Sequence, residues 1–458
     1  MKYPLLLTGA FLLLLPGWGR DLSLTLIPPS PVSEQVSVEV RAAVWNRGSA
    51  ARRIDVAIYL DSDTRLLHRQ RVEVSENAAA GVNFRWNARG HAGTHRIILK
   101  ADGRRLEQPI EVLRSSTRTT GKIDGAWMTI IHPLEDEGVH MNPVLARMSD
   151  DQWREQVRGM HQIEMNVIVL EEAFRHRAYH GRHTIEKDGY KGLAFYPSQI
   201  LPGRMKIAAE DPFEAILSEA DRLGMHVFMG VGMYAFFDYT PGSLAWHKSV
   251  STELWSRYGH HPSFYGWYVS EEVCGDIAGC NPKLSPEQVA QYRRDIVEFF
   301  REFQQHCRRM APGKPVMLAP NSHFMARGEA TWRELTKYCD IICPFGFHRQ
   351  PKGDVSGEEV AAWFQKICDE GGAHLWMDLE VFAFEKPGNA LIPREIEGLV
   401  QDLSRFRSFE KILCFQYAGL MNAPWASVKP GGEATVRLFL DYEKYLRSAR
   451  GAASKKTP

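Results

Sequence analysis

The stretch FYGWYVSEEV, residues 264–273, is an apolar, aromatic run that ends in two adjacent glutamates. Side chains alternate along a β-strand, so Tyr268 and Glu272 lie on one face. Trp267, Val269 and Glu271 lie on the other face, where the tryptophan and the valine suit a layer of helices. Because glutamates are rarely buried without a partner, a strand that ends in two of them is a candidate for a functional site.

On both sides of this stretch, β-type runs such as MNVIVL, KPVMLAPN and DIICPFGF alternate with helical ones. Alternating strands and helices require parallel pairing through right-handed crossovers. Eight such units fill residues 123–447, so we predict an α/β protein with a (β/α)8 TIM barrel in which FYGWYVS is the fourth strand. An open doubly wound sheet is the alternative, although no Gly-x-Gly-x-x-Gly follows the first strand.

A second, smaller domain is predicted at residues 21–115, where short β-type runs alternate with turn signals. Val36, Val38 and Val40 keep period two, as in a half-buried strand. We predict a small all-β, immunoglobulin-like sandwich of about seven strands, joined to the barrel by a polar linker at 116–122. The pattern resembles the bacterial cell-adhesion-related sandwich domain.

Composition and charge narrow the class of protein. The chain has 56 Lys and Arg against 55 Asp and Glu, so there is no basic excess to neutralise phosphates and no nucleic-acid partner is expected. Residues 1–19 have the layout of a cleaved signal peptide, and no later segment is apolar enough for a membrane span. We therefore expect a secreted or periplasmic protein, with a disordered tail at 448–458.

The cysteines and the known binding motifs indicate no cofactor. All seven cysteines lie at or beyond Cys274. Cys274 and Cys280 could close a loop as a disulfide, and buried thiols are the alternative. Because no Cys-x-x-Cys, His-Glu-x-x-His, EF-hand or P-loop pattern occurs, we expect neither a metal nor another cofactor.

The predicted seventh strand, LWMDLE at residues 375–380, repeats the arrangement of the fourth. Alternation places Asp378 and Glu380 on its inward face, with Glu380 at the tip. In a barrel, inward side chains at the C-terminal ends of strands line the mouth, so Glu272 and Glu380 are expected to face each other there. Glu171 and Glu172, after strand two, could also reach the mouth. Two carboxyls in this arrangement suit the cleavage of a glycosidic bond.

The residues around the fourth strand also resemble those of a known family. G-M-x-V-F-x-G at 224–230 and Y-G-x-H-P-S-F-Y-G-W-Y-x-x-x-E at 258–272 are similar to motifs of a bacterial family of secreted, glycoside-hydrolase-like barrels catalogued mainly as a domain of unknown function. An acid at the end of strand four and a nucleophile at the end of strand seven is the scheme of the largest clan of retaining glycoside hydrolases, which this chain resembles. The resemblance implies that Glu272 is the general acid/base and Glu380 the nucleophile. Glu271 stands where that clan usually has a sugar-binding Asn.

Further side chains on or just after the strands complete the expected site. Aromatic rings offer flat faces to sugar C–H groups, although most aromatic residues of a barrel belong to its core. Asn321 follows strand five and is a candidate hydrogen-bond donor, while Asp378 is a candidate for orienting Glu380. The predicted substrate-binding residues are Trp127, Tyr234, Tyr268, Glu271, Asn321, Trp376, Asp378 and Tyr417.

These features predict a secreted glycoside hydrolase that acts on an oligo- or polysaccharide, by a retaining mechanism. A carboxyl separation of about 5 Å would give retention, and one of about 6.5–9.5 Å inversion. The alternative is a non-catalytic carbohydrate-binding or surface-scaffold protein that keeps the barrel. In both cases the expected partner is a carbohydrate.

Overall fold

The computed structural model describes four stretches of the chain, residues 21–176, 192–232, 237–279 and 282–454. The predicted signal peptide, the candidate Tyr234 and the predicted disulfide partner Cys280 lie outside these stretches. No helix within them combines the length and the apolar character that a membrane span requires.

The N-terminal part is an all-β region with two sheets around one core. Its eight strands are Leu22–Ile27, Val32–Ser33, Ser37–Asn46, Arg52–Leu60, Leu66–Val74, Ala78–Asn87, Gly93–Ala101 and Arg104–Leu113. The first, third and sixth form one sheet, and the other five form the second. Val38 and Val40 share a core with Val56 and Ile58 of the other sheet, as the period of two predicts.

The strands that follow form one nine-stranded sheet in which all pairings are parallel. In sheet order they are His374–Leu375, Ile341–Ile342, Val316–Pro320, Phe264–Val273, His226–Gly230, Val167–Leu170, Gly125–Met128, Ile412–Phe415 and Met377–Glu380. The two end strands are consecutive in the chain and are separated by Trp376 alone. The sheet is therefore nearly closed and barrel-like, and the predicted strand LWMDLE is divided at Trp376.

Helices connect these strands and pack on the outside of the sheet. They are Asn142–Leu145, Asp150–Gln162, Pro212–Leu223, Pro241–Tyr258, Pro286–Met310, Glu329–Leu335, Gly357–Gly371, Ile396–Arg405 and Glu433–Ser454. Capping boxes at Ser149, Ser285 and Ser356 fix where three of them begin. The last helix includes residues 448–454, which the sequence predicted to be part of a disordered tail.

The remaining elements lie in loops. Two pairs of short antiparallel strands join Phe174–His176 with Gly192–Ala194, and Phe382–Phe384 with Leu391–Pro393; the second pair forms a hairpin. Two 3₁₀ turns occupy Met325–Gly328 and Phe347–Arg349. The hairpin that begins at Phe382 and the turn Phe347–Arg349 each follow a strand that ends at the candidate site.

The alternation predicted for the opening stretch is confirmed. Trp267 and Val269 belong to the large core between sheet and helices. Tyr268 belongs to a separate inner cluster, which it shares with Trp127 and Trp376. From Trp267 onward, the even-numbered side chains of this strand therefore point to the inside of the sheet, which gives the direction of Glu272. At the start of the strand the order is reversed, with Tyr265 in the inner cluster and Phe264 in the large core.

The all-β region covers the N-terminal ends of the sheet's strands through a buried ionic cluster. Arg41 donates to Glu39 at 2.8 Å and to Asp340 at 2.7 Å. His374, which begins an end strand, lies 2.6 Å from Glu410 and 3.4 Å from Glu39. We call this cluster the base network; it comprises the buried residues Glu39, Arg41, Asp340, His374 and Glu410 and the exposed Arg308, which pairs with Asp340. Because it closes one end of the sheet, a ligand site is favoured at the other end, where the strands have their C-termini.

Candidate active site

Glu272 lies at the C-terminal end of strand Phe264–Val273 and is half-buried. Burial raises its pKa to about 7. The positive charge of Arg349 and a hydrogen bond with Asn321 oppose this rise, while the negative charge of Glu137 and, to a smaller extent, that of Glu380 add to it. At neutral pH a large fraction of Glu272 therefore keeps its proton and can act as an acid.

Glu380 ends strand Met377–Glu380 and is almost fully buried. Arg349 donates from Nε to Oε1 at 2.7 Å, and His348 Nδ1 lies 3.1 Å from Oε2. Burial alone would raise the pKa of Glu380, but the bond with His348 and the charge of Arg349 outweigh it and lower the pKa below its ordinary value. Glu380 is therefore an anion at a pH where Glu272 is still protonated.

Two more carboxyls belong to the same electrostatic environment. Burial raises the pKa of Glu171 to about 8, with Arg175 opposing the rise and Glu272 adding to it. Burial and the charge of Glu380 raise the pKa of Asp378 well above its ordinary value. Glu171 Oε2 and Asp378 Oδ1 have no hydrogen-bond partner within the described stretches. Burial thus favours the protonated form of both groups, and in that form each can donate an O–H to a polar ligand.

Asn321 contacts Glu272 rather than an open surface. Its Oδ1 accepts from the backbone N–H groups of Gly275 at 3.0 Å and His323 at 3.1 Å. The amide group is held by these bonds, and its side chain is hydrogen-bonded to Glu272. The prediction of Asn321 as a donor is consistent with this position, but the acceptor in the free protein is Glu272.

The predicted aromatic residues lie in different layers. Trp127, Tyr268 and Trp376 are buried in the inner cluster, where the rings of Trp127 and Tyr268 meet edge to face at 5.7 Å. Tyr417 is fully buried in the outer core, with its hydroxyl beside Gly159 of a helix. The inner three can form the floor of a site, whereas Tyr417 cannot contact a ligand there.

Glu271 also turns away from the inner face. Its side chain is buried, and Oε1 lies 3.8 Å from Nε2 of His247 on helix Pro241–Tyr258. This is the outward direction that the strand's alternation predicts. Its position among the helices argues against the substrate contact inferred for it from the clan's Asn.

Sequence reasoning missed two side chains at this end of the sheet. Arg349 was missed because the turn Phe347–Arg349 that directs it at Glu380 has no alternating pattern. Phe415 was missed although a signal existed: in ILCF the inner residues are Leu413 and Phe415, and Phe415 is the Cα partner of Glu380. Tyr417 was chosen from that segment instead.

The remaining titratable clusters do not extend the site. Within the described residues, the one group with metal-ligand spacing is Glu214, His260 and His261, whose ligand atoms lie within 4.8 Å of one another. Both ring nitrogens of His261 already face carboxylates, Asp221 at 2.7 Å and Glu214 at 3.1 Å. This group precedes strand Phe264–Val273, at the end opposite Glu272, and is explained as an ion-pair cluster.

Both predicted states of the cysteines occur among the described residues: a disulfide at Cys274 and buried thiols elsewhere. Cys274 is disulfide-bonded. Cys307, Cys339, Cys343, Cys368 and Cys414 are buried free thiols. Cys274, the disulfide-bonded cysteine, lies directly after the strand that carries Glu272.

Comparison with known proteins places the chain in a family and a fold. A family model described as Domain of unknown function (DUF4434) matches residues 123–428. No curated protein matches the chain. Among solved structures, a Bacteroides thetaiotaomicron protein described as a candidate α-L-fucosidase is similar at a TM-score of 0.51 and 18% identity, over 71% of this chain and 93% of that one. This likeness shows a shared fold.

Two further solved structures are similar at lower scores. The β-glucuronidase of Bacteroides uniformis matches at a TM-score of 0.41 and 13% identity, over 87% of this chain and 45% of that one. A β-galacturonidase of Eisenbergiella tayi matches at 0.40 and 12% identity, over 90% and 69%. The present chain thus spans less than half the length of the glucuronidase.

Proposed function

We propose that the chain, which belongs to the family described as Domain of unknown function (DUF4434), is a glycoside hydrolase acting on an oligo- or polysaccharide. Because the family description states no activity, the proposal is based on the chain's own site. The observation that carries this proposal is the opposite shift of two strand-end carboxyls: the pKa of Glu272 is raised to about 7 and that of Glu380 is lowered. Glycosidic cleavage needs one carboxyl with a proton and one without.

The proposed reaction has two steps. Glu272 gives its proton to the glycosidic oxygen while the carboxylate of Glu380 attacks the anomeric carbon, so that the C–O bond breaks and a glycosyl ester of Glu380 forms. Glu272, now an anion, takes a proton from water, whose oxygen displaces Glu380 and releases the sugar with its original configuration. Asn321 orients the acid and Arg349 the nucleophile.

The pKa values of the two carboxyls predict a bell-shaped pH profile of kcat/KM. Activity should fall as the pH rises through about 7, because Glu272 loses the proton that it must donate. It should fall again in acid, below the ordinary pKa of a glutamate, as Glu380 becomes protonated. Initial rates between pH 3 and 10 test this; full activity at pH 9 would contradict the role of Glu272.

Arg349→Met should shift both limbs of this profile to higher pH. The charge of Arg349 lowers the pKa of Glu380 and of Glu272, so its removal raises both. Arg301→Met, which removes an exposed arginine of helix Pro286–Met310, is the matched control. A lower rate without any shift of the limbs would mean that Arg349 only supports the local structure.

The proposal is tested by a panel of polysaccharides and aryl glycosides, assayed with wild type and Glu380→Gln side by side. Turnover by the wild type that is lost in the variant supports it. Equal turnover in both proteins overturns it. Binding without turnover favours the non-catalytic carbohydrate-binding alternative. For any substrate found, NMR of the first product gives the anomer and so separates retention from inversion.

The finer architecture is part of the same proposal. The sheet is interpreted as a (β/α)8 barrel over residues 123–447 whose seventh strand is divided at Trp376, because the end strands are consecutive in the chain. The region 21–115 is interpreted as an immunoglobulin-like sandwich followed by a linker at 116–122, because its two sheets share one core. Residues 1–19 are interpreted as a signal peptide of a secreted or periplasmic protein.

A further inference from the structure

A row of aromatic side chains leads away from Glu380. The chain leaves strand Met377–Glu380 and enters the hairpin strand Phe382–Phe384 after one residue, Val381, which is buried in the outer core. Phe382 packs against the edge of the same core, and Phe384, two residues further along the hairpin strand, is exposed.

The row begins inside the sheet and ends in solvent. Phe415, the neighbour of Glu380 in the sheet register, packs against the inner cluster. The ring of Phe382 lies 6.2 Å from that of Phe415 and 5.4 Å from that of Phe384, both in edge-to-face contacts. Phe415 and Phe382 are half-buried, and Phe384 is 40% exposed. We call these three residues the aromatic ladder.

The hairpin that carries Phe382 and Phe384 is braced on both sides. Arg394 donates to the carbonyl of Glu380 at 2.7 Å, and the backbone N–H of Leu391 donates to the carbonyl of Glu137 at 2.9 Å. His140 lies 2.8 Å from the carboxylate of Glu385 at the hairpin's tip. The ladder therefore has a fixed shape, and a ligand that stacks on it would not have to order it.

Single exposed hydrophobic residues are common and need no explanation. Here the exposed Phe384 continues a contiguous row that starts beside the proposed nucleophile. Four residues of extended chain span about 13 Å, which leaves room for sugar rings beyond the one at Glu380. Aromatic faces bind the C–H faces of pyranoses, and an oligosaccharide presents such faces at regular intervals.

We propose that the aromatic ladder binds successive pyranosyl units, so that the protein recognises a glycan chain of three or more units and not a simple glycoside. This inference rests on the proposed function, because the ladder gains its direction from Glu380. The ladder itself takes no part in the chemistry; it positions the chain across the site.

The test measures binding of the full chain, in a Glu272→Gln background that prevents turnover, to arrays of cello-, xylo-, manno- and galacto-oligosaccharides of one to six units. Affinity should rise with length up to three or four units. Phe384→Ala should lose about tenfold in affinity for trisaccharides and longer chains, and nothing for monosaccharides. Phe384→Trp should keep the affinity. Leu66→Ala, at a 48% exposed position in the all-β region, is the control.

Unchanged affinity in Phe384→Ala, affinity that does not depend on length, or no bound oligosaccharide would each overturn the inference. Its failure can be told apart from that of the proposed function. A wild type that hydrolyses glycans while Phe384→Ala binds them equally well overturns the ladder alone. Length-dependent binding through Phe384, with turnover unaffected by Glu380→Gln, overturns the catalytic assignment alone.

Discussion

Glu380→Gln is expected to lower kcat by on the order of 10⁴-fold on the best substrate of the panel. The amide is neutral and cannot attack the anomeric carbon, so the covalent step is lost while binding is kept. The change is nearly isosteric, and the Gln oxygen can still accept from Arg349, which is partly exposed. The melting temperature should therefore stay close to that of the wild type, which separates lost chemistry from lost structure.

The matched control is Glu358→Gln, the same chemical change at an exposed carboxylate that pairs with Arg405 at 2.7 Å. It should leave kcat unchanged, because it lies on helix Gly357–Gly371 outside the candidate site. If the Glu380→Gln variant keeps more than a tenth of the wild-type kcat, Glu380 is not the nucleophile. If kcat falls in Glu380→Gln and not in Glu358→Gln, the next variant to measure is Glu272→Gln.

The carboxyls of the site could be predicted because alternation along a strand is a local property. Trp267 and Val269 identify the helix-facing side, and this fixes Glu272 on the other side without any knowledge of the remaining chain. The same rule places Asp378 and Glu380 inward on their strand. The same rule also predicts that Phe415 points inward, because it lies two positions after the inner residue Leu413.

Arg349 and Tyr417 show where this rule ends. Both lie beyond the last residue of a strand, in segments whose direction depends on turns and on contacts made far along the chain. The turn Phe347–Arg349 aims Arg349 back at Glu380, and the segment after Phe415 turns Tyr417 against Gly159. No periodicity in the sequence encodes either direction, so the contact between Arg349 and Glu380 was found only in the structure.

The strand SVEVRAAVWN shows a second limit. Its alternation correctly predicts Val38 and Val40 in the core of the all-β region. The same alternation indicates that Glu39 and Arg41 face solvent, yet both are buried, at 6% and 4% exposure. The reason is that the base of the nine-stranded sheet covers this face. The alternation within one region does not indicate which of its faces the other region covers.

Asp340 is the residue on which that interface depends most. Its Oδ1 accepts from Arg41 at 2.7 Å and from Arg308 at 2.9 Å, and its Oδ2 accepts from the backbone N–H of Val316 at 2.8 Å. Arg41 comes from the all-β region, while the other partners belong to the second region. Burial would raise the pKa of Asp340, but the two arginines outweigh this effect and lower it.

Asp340→Ala should therefore lower the free energy of unfolding by about 3–5 kcal/mol, because it leaves the buried guanidinium of Arg41 with Glu39 alone. Removal of one partner from a buried pair costs more than the pair contributes, since the remaining charge keeps its desolvation penalty. Urea unfolding followed by tryptophan fluorescence measures the change. Asp369→Ala, which breaks the exposed pair with Arg118 at 2.8 Å, should cost less than about 1 kcal/mol.

A double variant distinguishes the lost partner from the lost volume. In Arg41→Met with Asp340→Leu, both buried charges are replaced by apolar groups of similar size, so most of the stability should return, as it does when a buried pair is exchanged for packed hydrophobic residues. A loss in Asp340→Ala no greater than in Asp369→Ala would mean that water reaches Arg41. The base network would then act as an ordinary solvated contact, and the closure of this end of the sheet would have to depend on apolar residues such as Ile27, which lies in the inner cluster.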